Sequence, residues 1–458
     1  MINMHSGFTN RPARARLQPA SQRRSRGSQL LCALALSALW TVAGGSTAGA
    51  QPASATAQAQ PLPLPLPQSQ PAADIDYHQL ADQQLISFPA AAINNLDLAI
   101  ARDGDYAEAY ALRAVAYNRT MVPQQADDDI KRAMAMAPAS PVVLGARAAI
   151  ALDRKQYGPA AEDAYRAVQL APDFYIGHSI YTSALLKLNR YPEAVAHLES
   201  LIAATPADPW AYGLLVNLYR EHGDEDKRMD TLNRGVAAAP NTAMYMVRAQ
   251  TRAAADREGR MRDYAAALQL ADNPVWVMRD QAILELDAGR NEDAIPILDA
   301  AIGQAGGSDV VALLKTLRAV AYVKTGQTQL ADADLASART IITNPDQMNS
   351  IAWILATRNA ALPVAQSMVD AALTIGPTSA PFLDTSGIIL LRSERYVEAI
   401  RQFDAALAIE PRQAGSLFAR GIARRRLGQT AAGDADLGAA RAVNPAIDTE
   451  YVRYGITL

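Results

Sequence analysis

Apolar residues along this 458-residue chain do not alternate with polar ones in the two-residue rhythm of a half-buried strand. They gather in short Ala-rich stretches, with few runs of β-branched residues, which is the pattern of closely packed helices. Proline punctuates those stretches at a fixed interval. Pro138, Pro172, Pro206 and Pro240 are 34 residues apart, and so are Pro377, Pro411 and Pro445. The string LRAVAY, at Leu112 and again at Leu317, recurs after six such periods and one residue. A repeated unit of two helices ended by proline is predicted throughout the second part of the chain.

Small residues keep their place within the period. Counted from Pro141, Ala148, Ala160 and Ala167 fall at positions 8, 20 and 27, and Pro172 at position 32. Counted from Ala380, the same places hold Gly387, Ala399, Ala406 and Pro411, with Leu390 and Phe403 as the large apolar residues between them. From Ala414 they hold Gly421, Ala432 beside Gly433, Ala440 and Pro445. Antiparallel helices approach closely only where small side chains meet, and each pair needs its neighbours to bury what remains apolar. The pattern resembles the tetratricopeptide repeat over some 380 residues. The resemblance implies an all-α α-solenoid of about ten helix-turn-helix repeats in a right-handed superhelix. The repeats start near Ala107, Pro141, Tyr175, Pro209, Asn241, Val275, Ala312, Asp346, Ala380 and Ala414, and span residues 107–447. A degenerate helix pair within 74–106 precedes them, and a capping helix at 448–458, with Tyr451 and Tyr454, covers the last.

Three departures from the pattern stand out. Arg248 and Arg260 occupy places where small residues are expected, Gly303, Gly306 and Gly307 close another repeat, and Trp353 takes position 8 of the repeat near Asp346. The first two mark residues 241–308 as the weakest-coupled stretch.

The first 73 residues are of another kind. An Arg-rich start leads into the apolar run Leu30–Ala43 and then Ala48-Gly49-Ala50, the three parts of a secretory signal predicted to be cleaved after Ala50. An uncleaved inner-membrane anchor is the alternative. Cys32, the single cysteine, lies inside this segment, so no disulfide or thiol chemistry is expected beyond it. Residues 51–73, with PLPLPLP at Pro61–Pro67, read as an extended tether. The expected location is exported, periplasmic or secreted, in a bacterial envelope.

Charge and chemistry narrow the function. Past residue 50 the chain carries 37 basic and 46 acidic residues, a balance that argues against nucleic acid as a ligand. His78, His178, His197 and His222 include no pair with the spacing of a helical zinc site, and no nucleophile elbow, phosphate loop or dinucleotide fingerprint is present. Asp127, Asp128 and Asp129 read as a solvated face beside Lys131 and Arg132. No enzyme activity, metal or cofactor is expected.

In tetratricopeptide proteins the first helix of each repeat lines a concave surface through positions 2, 5, 9 and 12. The resemblance therefore implies a peptide groove that includes Trp210, Asn217, Arg220, Tyr245, Arg252, Trp276, Arg279 and Ile283. Trp210 and Trp276 have a second role open to them, packing between repeats. The Lys, Asn and Arg set of the family's clamp for chaperone tails is not found. Arg420, Arg424, Arg425 and Arg426 form a basic stretch that would meet an acidic partner or an anionic polymer, or stand as a solvated helix face. The expected partner is a protein or peptide of unknown identity. The alternative is a scaffold of the envelope polysaccharide machinery, by analogy with tetratricopeptide subunits of such systems.

Overall fold

The computed structural model describes residues 89–458, in which the chain forms 22 α-helices and no strand. The expected signal, the tether, Cys32, His78 and the first part of the degenerate helix pair lie outside the described residues. The chain divides into two compact units between Thr231 and Leu232.

The first unit opens with α1 (Pro89–Arg102) and continues as helix pairs: α2 (Ala107–Arg119) with α3 (Pro123–Met136), α4 (Pro141–Asp153) with α5 (Tyr157–Leu170), and α6 (Tyr175–Lys187) with α7 (Tyr191–Ala204). It then holds α8 (Pro209–His222) and the start of α9 (Glu225–Ala238), the helix in which the division falls.

After the rest of α9, five helix pairs open the second unit. They are α10 (Thr242–Thr251) with α11 (Arg257–Leu270), α12 (Val275–Asp287) with α13 (Asn291–Gln304), α14 (Ser308–Lys324) with α15 (Thr328–Ile341), α16 (Pro345–Thr357) with α17 (Leu362–Ile375), and α18 (Ala380–Arg392) with α19 (Tyr396–Ile409). A sixth pair, α20 (Ala414–Arg426) with α21 (Thr430–Val443), is followed by the short α22 (Ile447–Arg453).

Local chemistry explains these boundaries. The seven periodic prolines each sit two residues past the end of a second helix, where a missing N–H and a fixed φ stop the helix. Some first helices start on side-chain caps: Ser140 Oγ accepts from Val143 N, Asp208 from Trp210 N, Asn241 from Met244 N and Asn344 from Asp346 N. Except between α10 and α11, the turn from first to second helix passes through a left-handed residue, which is glycine at Gly223, Gly289, Gly326 and Gly428.

Crossings are made by small residues. Ala114, Ala126 and Ala133 are fully buried in one pair, and Ala148, Ala160 and Ala167 in the next. A Cβ on Gly387 would come within 2.4 Å of the Phe403 ring, and one on Gly433 within 2.8 Å of the Gly421 carbonyl. These glycines set how closely α18 meets α19 and α20 meets α21.

Three expectations need correction. The helix expected to start at Ala312 begins at Ser308, one turn earlier. The helix expected from Asp346 begins at Pro345. One extra residue is taken up in its turn, where Asn359 and Ala361 are both left-handed, so the buried Ala352 falls at the crossing and Trp353 moves to position 9. Arg248 does not displace a small residue either, since its neighbour Ala249 is fully buried at the crossing. Arg260, which does take a small residue's place, turns its Nε to the Ala249 carbonyl at 3.0 Å.

Candidate functional site

Most of the ionised residues near the crossings are fasteners of the scaffold. Arg113 on α2 makes two bonds to Asp129 on α3, at 2.7 and 2.8 Å, and a third to Asp97 on α1 at 2.6 Å. Arg318 on α14 repeats this with Asp334 on α15, at 2.7 and 2.7 Å, and Asp299 on α13, at 2.6 Å. Arg420 on α20 does so with Asp436 on α21, at 2.8 and 2.7 Å, and Asp404 on α19, at 2.7 Å. Arg248 holds Asp263 in the same way and reaches Asn233 at 3.2 Å. Each guanidinium thus joins its own second helix to the preceding one, using the fork geometry that lysine lacks. The hydrogen bonds to Asp129 and to Asp334 push Arg113 and Arg318 above the usual arginine value. Asp129 is accordingly buried, and not part of a solvated acidic face.

The sequence-predicted groove residues divide among different roles. Trp210 is only 7% exposed, with its ring 4.4 Å from that of Tyr175, so it packs between helices and presents no face to a ligand. Asn217 and Arg220 are bonded to each other, and Asn217 also reaches Glu221 at 3.3 Å. Arg252 is held by Asp263 at 2.7 Å and Asp256 at 2.9 Å, and so belongs to the fastener of its own repeat. Tyr245 lies under the Arg248 guanidinium at 5.5 Å. Trp276, Arg279 and Ile283 share one face of α12 and stay partly exposed, with Arg279 stacked over Trp276 at 4.8 Å and bonded to Asp280 at 2.6 Å.

The expected basic surface is partly paired: Arg420 and Arg424 are both bound to Asp436, whereas Arg425, 3.5 Å from Asp434, and Arg426 stay exposed. Arg426 extends to the Thr457 carbonyl at 3.4 Å.

The residues expected to cap the last repeat make a peptide-like arrangement against first helices of the second unit. The end of α22 and the residues after it touch three first helices, α20, α18 and α16. Tyr451 packs on Phe418 at 4.7 Å and donates to the Gly415 carbonyl at 2.8 Å. Tyr454 meets Trp353 edge-on at 5.8 Å. Arg392 binds the carbonyls of Tyr454 and of Gly455, the latter at 3.2 Å. Instead of covering only the last repeat, this segment reaches three first helices. Beneath it lies Asp384, accepting from Ser416 Oγ, with its carboxyl pushed up to about 6 by burial.

In the first unit, repeat 175–204 replaces the fastener by Tyr181 and His197. His197 Nε2 is 2.8 Å from His178 Nδ1, and His178 Nε2 is 3.0 Å from the Pro172 carbonyl, which assigns its proton there. Burial, and then the charge His178 would carry, lowers His197 to about 4. Sequence spacing hid this pair because its members are on different helices. The same unit has a cavity of about 390 Å³ lined by Asp127, Arg147, Arg154, Glu162, Asp163 and Arg166 among others. Among the described residues no three His, Cys, Asp or Glu side chains are grouped to hold a metal, and no helix is long and apolar enough to cross a membrane.

A tetratricopeptide repeat family model matches residues 185–251. No curated protein matches the sequence. Among solved structures, yeast Tom70 is 12% identical, with 82% of this chain and 93% of that one aligned at a TM-score of 0.44. A tetratricopeptide repeat protein from Parabacteroides merdae is 16% identical over 54% of this chain and 97% of its own, at 0.36. A thermophilic TPR protein of Thermus thermophilus is 20% identical over 39% and 99%, at 0.30.

Proposed function

We propose that this tetratricopeptide-repeat chain is a non-enzymatic scaffold of the cell envelope that binds a protein or peptide along the faces of its first helices. The observation that carries the reading is the face of α12. There a tryptophan, an arginine stacked on it and an isoleucine, Trp276, Arg279 and Ile283, stay partly exposed at positions 2, 5 and 9 of one repeat. Aromatic area with a planar donor is what anchors binding surfaces commonly offer. The fasteners support the same reading, because they engage arginine and aspartate in holding helix pairs together. The exported location rests on the first 50 residues alone.

The test is crosslinking capture from the envelope fraction, comparing the full chain with a variant carrying Trp276→Ala and Arg279→Ala. Trp210 is left intact because its burial would make any loss a folding effect. A protein captured by the first and lost with the second supports the reading. Identical capture by both removes the α12 face from it, and capture of polysaccharide in place of protein replaces it.

A further inference from the structure

Positions 5, 9 and 13 of three successive first helices lie along one face in the second unit. They are Asn349, Trp353 and Thr357 on α16, Asp384, Ile388 and Arg392 on α18, and Phe418, Ile422 and Arg426 on α20. The chain's own residues 451–457 lie against this face. Two aromatic side chains three residues apart occupy it, Tyr451 on Phe418 and Tyr454 on Trp353. Gly455, left-handed at φ 65°, then turns the backbone, and Arg392 takes the two carbonyls on either side of that peptide bond. Ile456 is buried at 6% exposure. The aromatic anchors give the face its contact area, and Arg392 satisfies carbonyls at the end of α22.

The fit is incomplete. Nε of Arg392 and Oδ1 of Asn349 are buried with no hydrogen-bond partner. A polar atom buried without a partner is costly, so a segment that met either atom would bind the face better than the chain's own residues do. Val452 and Leu458 remain largely exposed, at 60% and 53%, so the segment itself is only half engaged.

We infer that the face of α16, α18 and α20 is a docking surface for a partner segment of the form aromatic-x-x-aromatic-Gly-aliphatic, and that residues 451–458 occupy it in cis until such a segment displaces them. The inference rests on the scaffold reading and gives it a second surface and a partner chemistry. Displacement makes the segment an intramolecular competitor, which weakens the apparent affinity of any partner by the fraction of chains left open.

The probe is a fluorescein-labelled peptide of residues 447–458, titrated by anisotropy into the full chain, into a chain ending at Ala446, and into that shorter chain carrying Arg392→Ala. Saturable binding to the shorter chain is expected, at least tenfold weaker with the full chain and at least tenfold weaker with Arg392→Ala. Equal binding to the full and shortened chains overturns the inference, as does no binding to a shortened chain whose helical circular dichroism is intact. Should the shortened chain fail to fold, the full chain with Tyr454→Ala takes its place, since Tyr454 is less buried than Tyr451 and Ile447 still anchors α22. It must then bind the peptide at least tenfold more tightly than the unaltered chain, and failure to do so is equally fatal. If the peptide does not bind while envelope capture through the α12 face persists, the scaffold reading stands and residues 451–458 are only a cap. If both fail, the scaffold reading falls with it.

Discussion

Repeat 308–341 and repeat 175–204 solve the same packing problem with opposite chemistry. In the first, Arg318 clasps Asp334 and reaches back to Asp299, three groups that are most useful when charged. In the second, the corresponding places hold Tyr181 and His197, with His178 behind them, and the groups fit together when neutral. The difference teaches that the helix pair does not require a salt bridge at its crossing. It requires that whatever polar group is buried there be paired, and the chosen pair sets the conditions under which that repeat holds.

The largest effect expected is from Arg318→Ala. Removing the guanidinium leaves the carboxylate of Asp334 buried and unpaired, which costs about 3–5 kcal/mol, whereas Arg318→Met with Asp334→Leu should be close to neutral. Hydrogen exchange resolved by repeat is the suitable measurement, because a stack of repeats does not unfold as one cooperative step. Protection should fall in α13–α15 in the single variant and return in the double one. A single variant that leaves protection unchanged would show that the clasp is ornamental.

Acid should act on the other repeat. Burial lowers the pKa of His178 and of His197, so the folded state prefers both rings neutral. Their contribution is complete above the unfolded value near 6.5 and is lost as pH falls from there toward about 4. The rings facing them, Trp210 on His178 and Tyr181 on His197, offer no charge to offset protonation, and Asp208 is engaged by Tyr175 at 2.5 Å. At pH 5 about 2 kcal/mol should be missing from α6 and α7 relative to pH 7.5. Equal changes in α6–α7 and α14–α15 would erase the distinction between the two repeats.

Repeat 380–409 supplies a third case, a buried carboxylate with no arginine. Asp384 is raised to about 6 by burial, so the folded state favours its protonated form: its contribution is fullest below the unfolded value and is lost as pH rises through 6. Asp384→Asn keeps an acceptor for Ser416 and removes the charge. The variant should be more stable by about 1–2 kcal/mol at pH 7.5, with the gain shrinking at pH 5. A loss of stability at pH 7.5 would mean that the ionised carboxylate serves the site.

The sequence made the period, the proline stops and the small residues at the crossings legible, because each is a local property repeated at fixed spacing. It hid the clasps, although the signal was there: Arg113 and Asp129, Arg147 and Asp163, Arg318 and Asp334, and Arg420 and Asp436 are all 16 residues apart. Read singly, Asp129 looks like part of a solvated acidic run, and Arg420 and Arg424 look like a basic surface. Trp353 was misplaced by the one extra residue near Ala361. The seat of Tyr454 against Trp353 joins positions about a hundred residues apart, and no local pattern encodes it. Of the groove residues, Trp210 could be read from the sequence either as a groove contact or as packing between repeats, and it took the Tyr175 ring to show which.

The smallest effect is expected from Arg147→Ala, and its size decides where a clasp gets its strength. Arg147 holds Asp163 at 2.6 and 2.5 Å as the other arginines hold theirs, but the place where a preceding carboxylate would stand, 16 residues back, is Lys131. The Arg147 side chain is 39% exposed, against 19% for Arg318, and it lines the cavity of about 390 Å³ together with Asp163. A carboxylate that borders a cavity of this size, lined by further charged groups, can be hydrated when its partner is removed, so the desolvation penalty that dominates at Asp334 is largely absent. Arg147→Ala should therefore cost about 1 kcal/mol in α4 and α5, near the value of an exposed pair. A cost equal to that of Arg318→Ala would place the strength of every clasp in the two bonds to its own second helix. A cost below a third of it would place that strength in the enclosure completed by the preceding repeat, so that each clasp works as a coupling between neighbours.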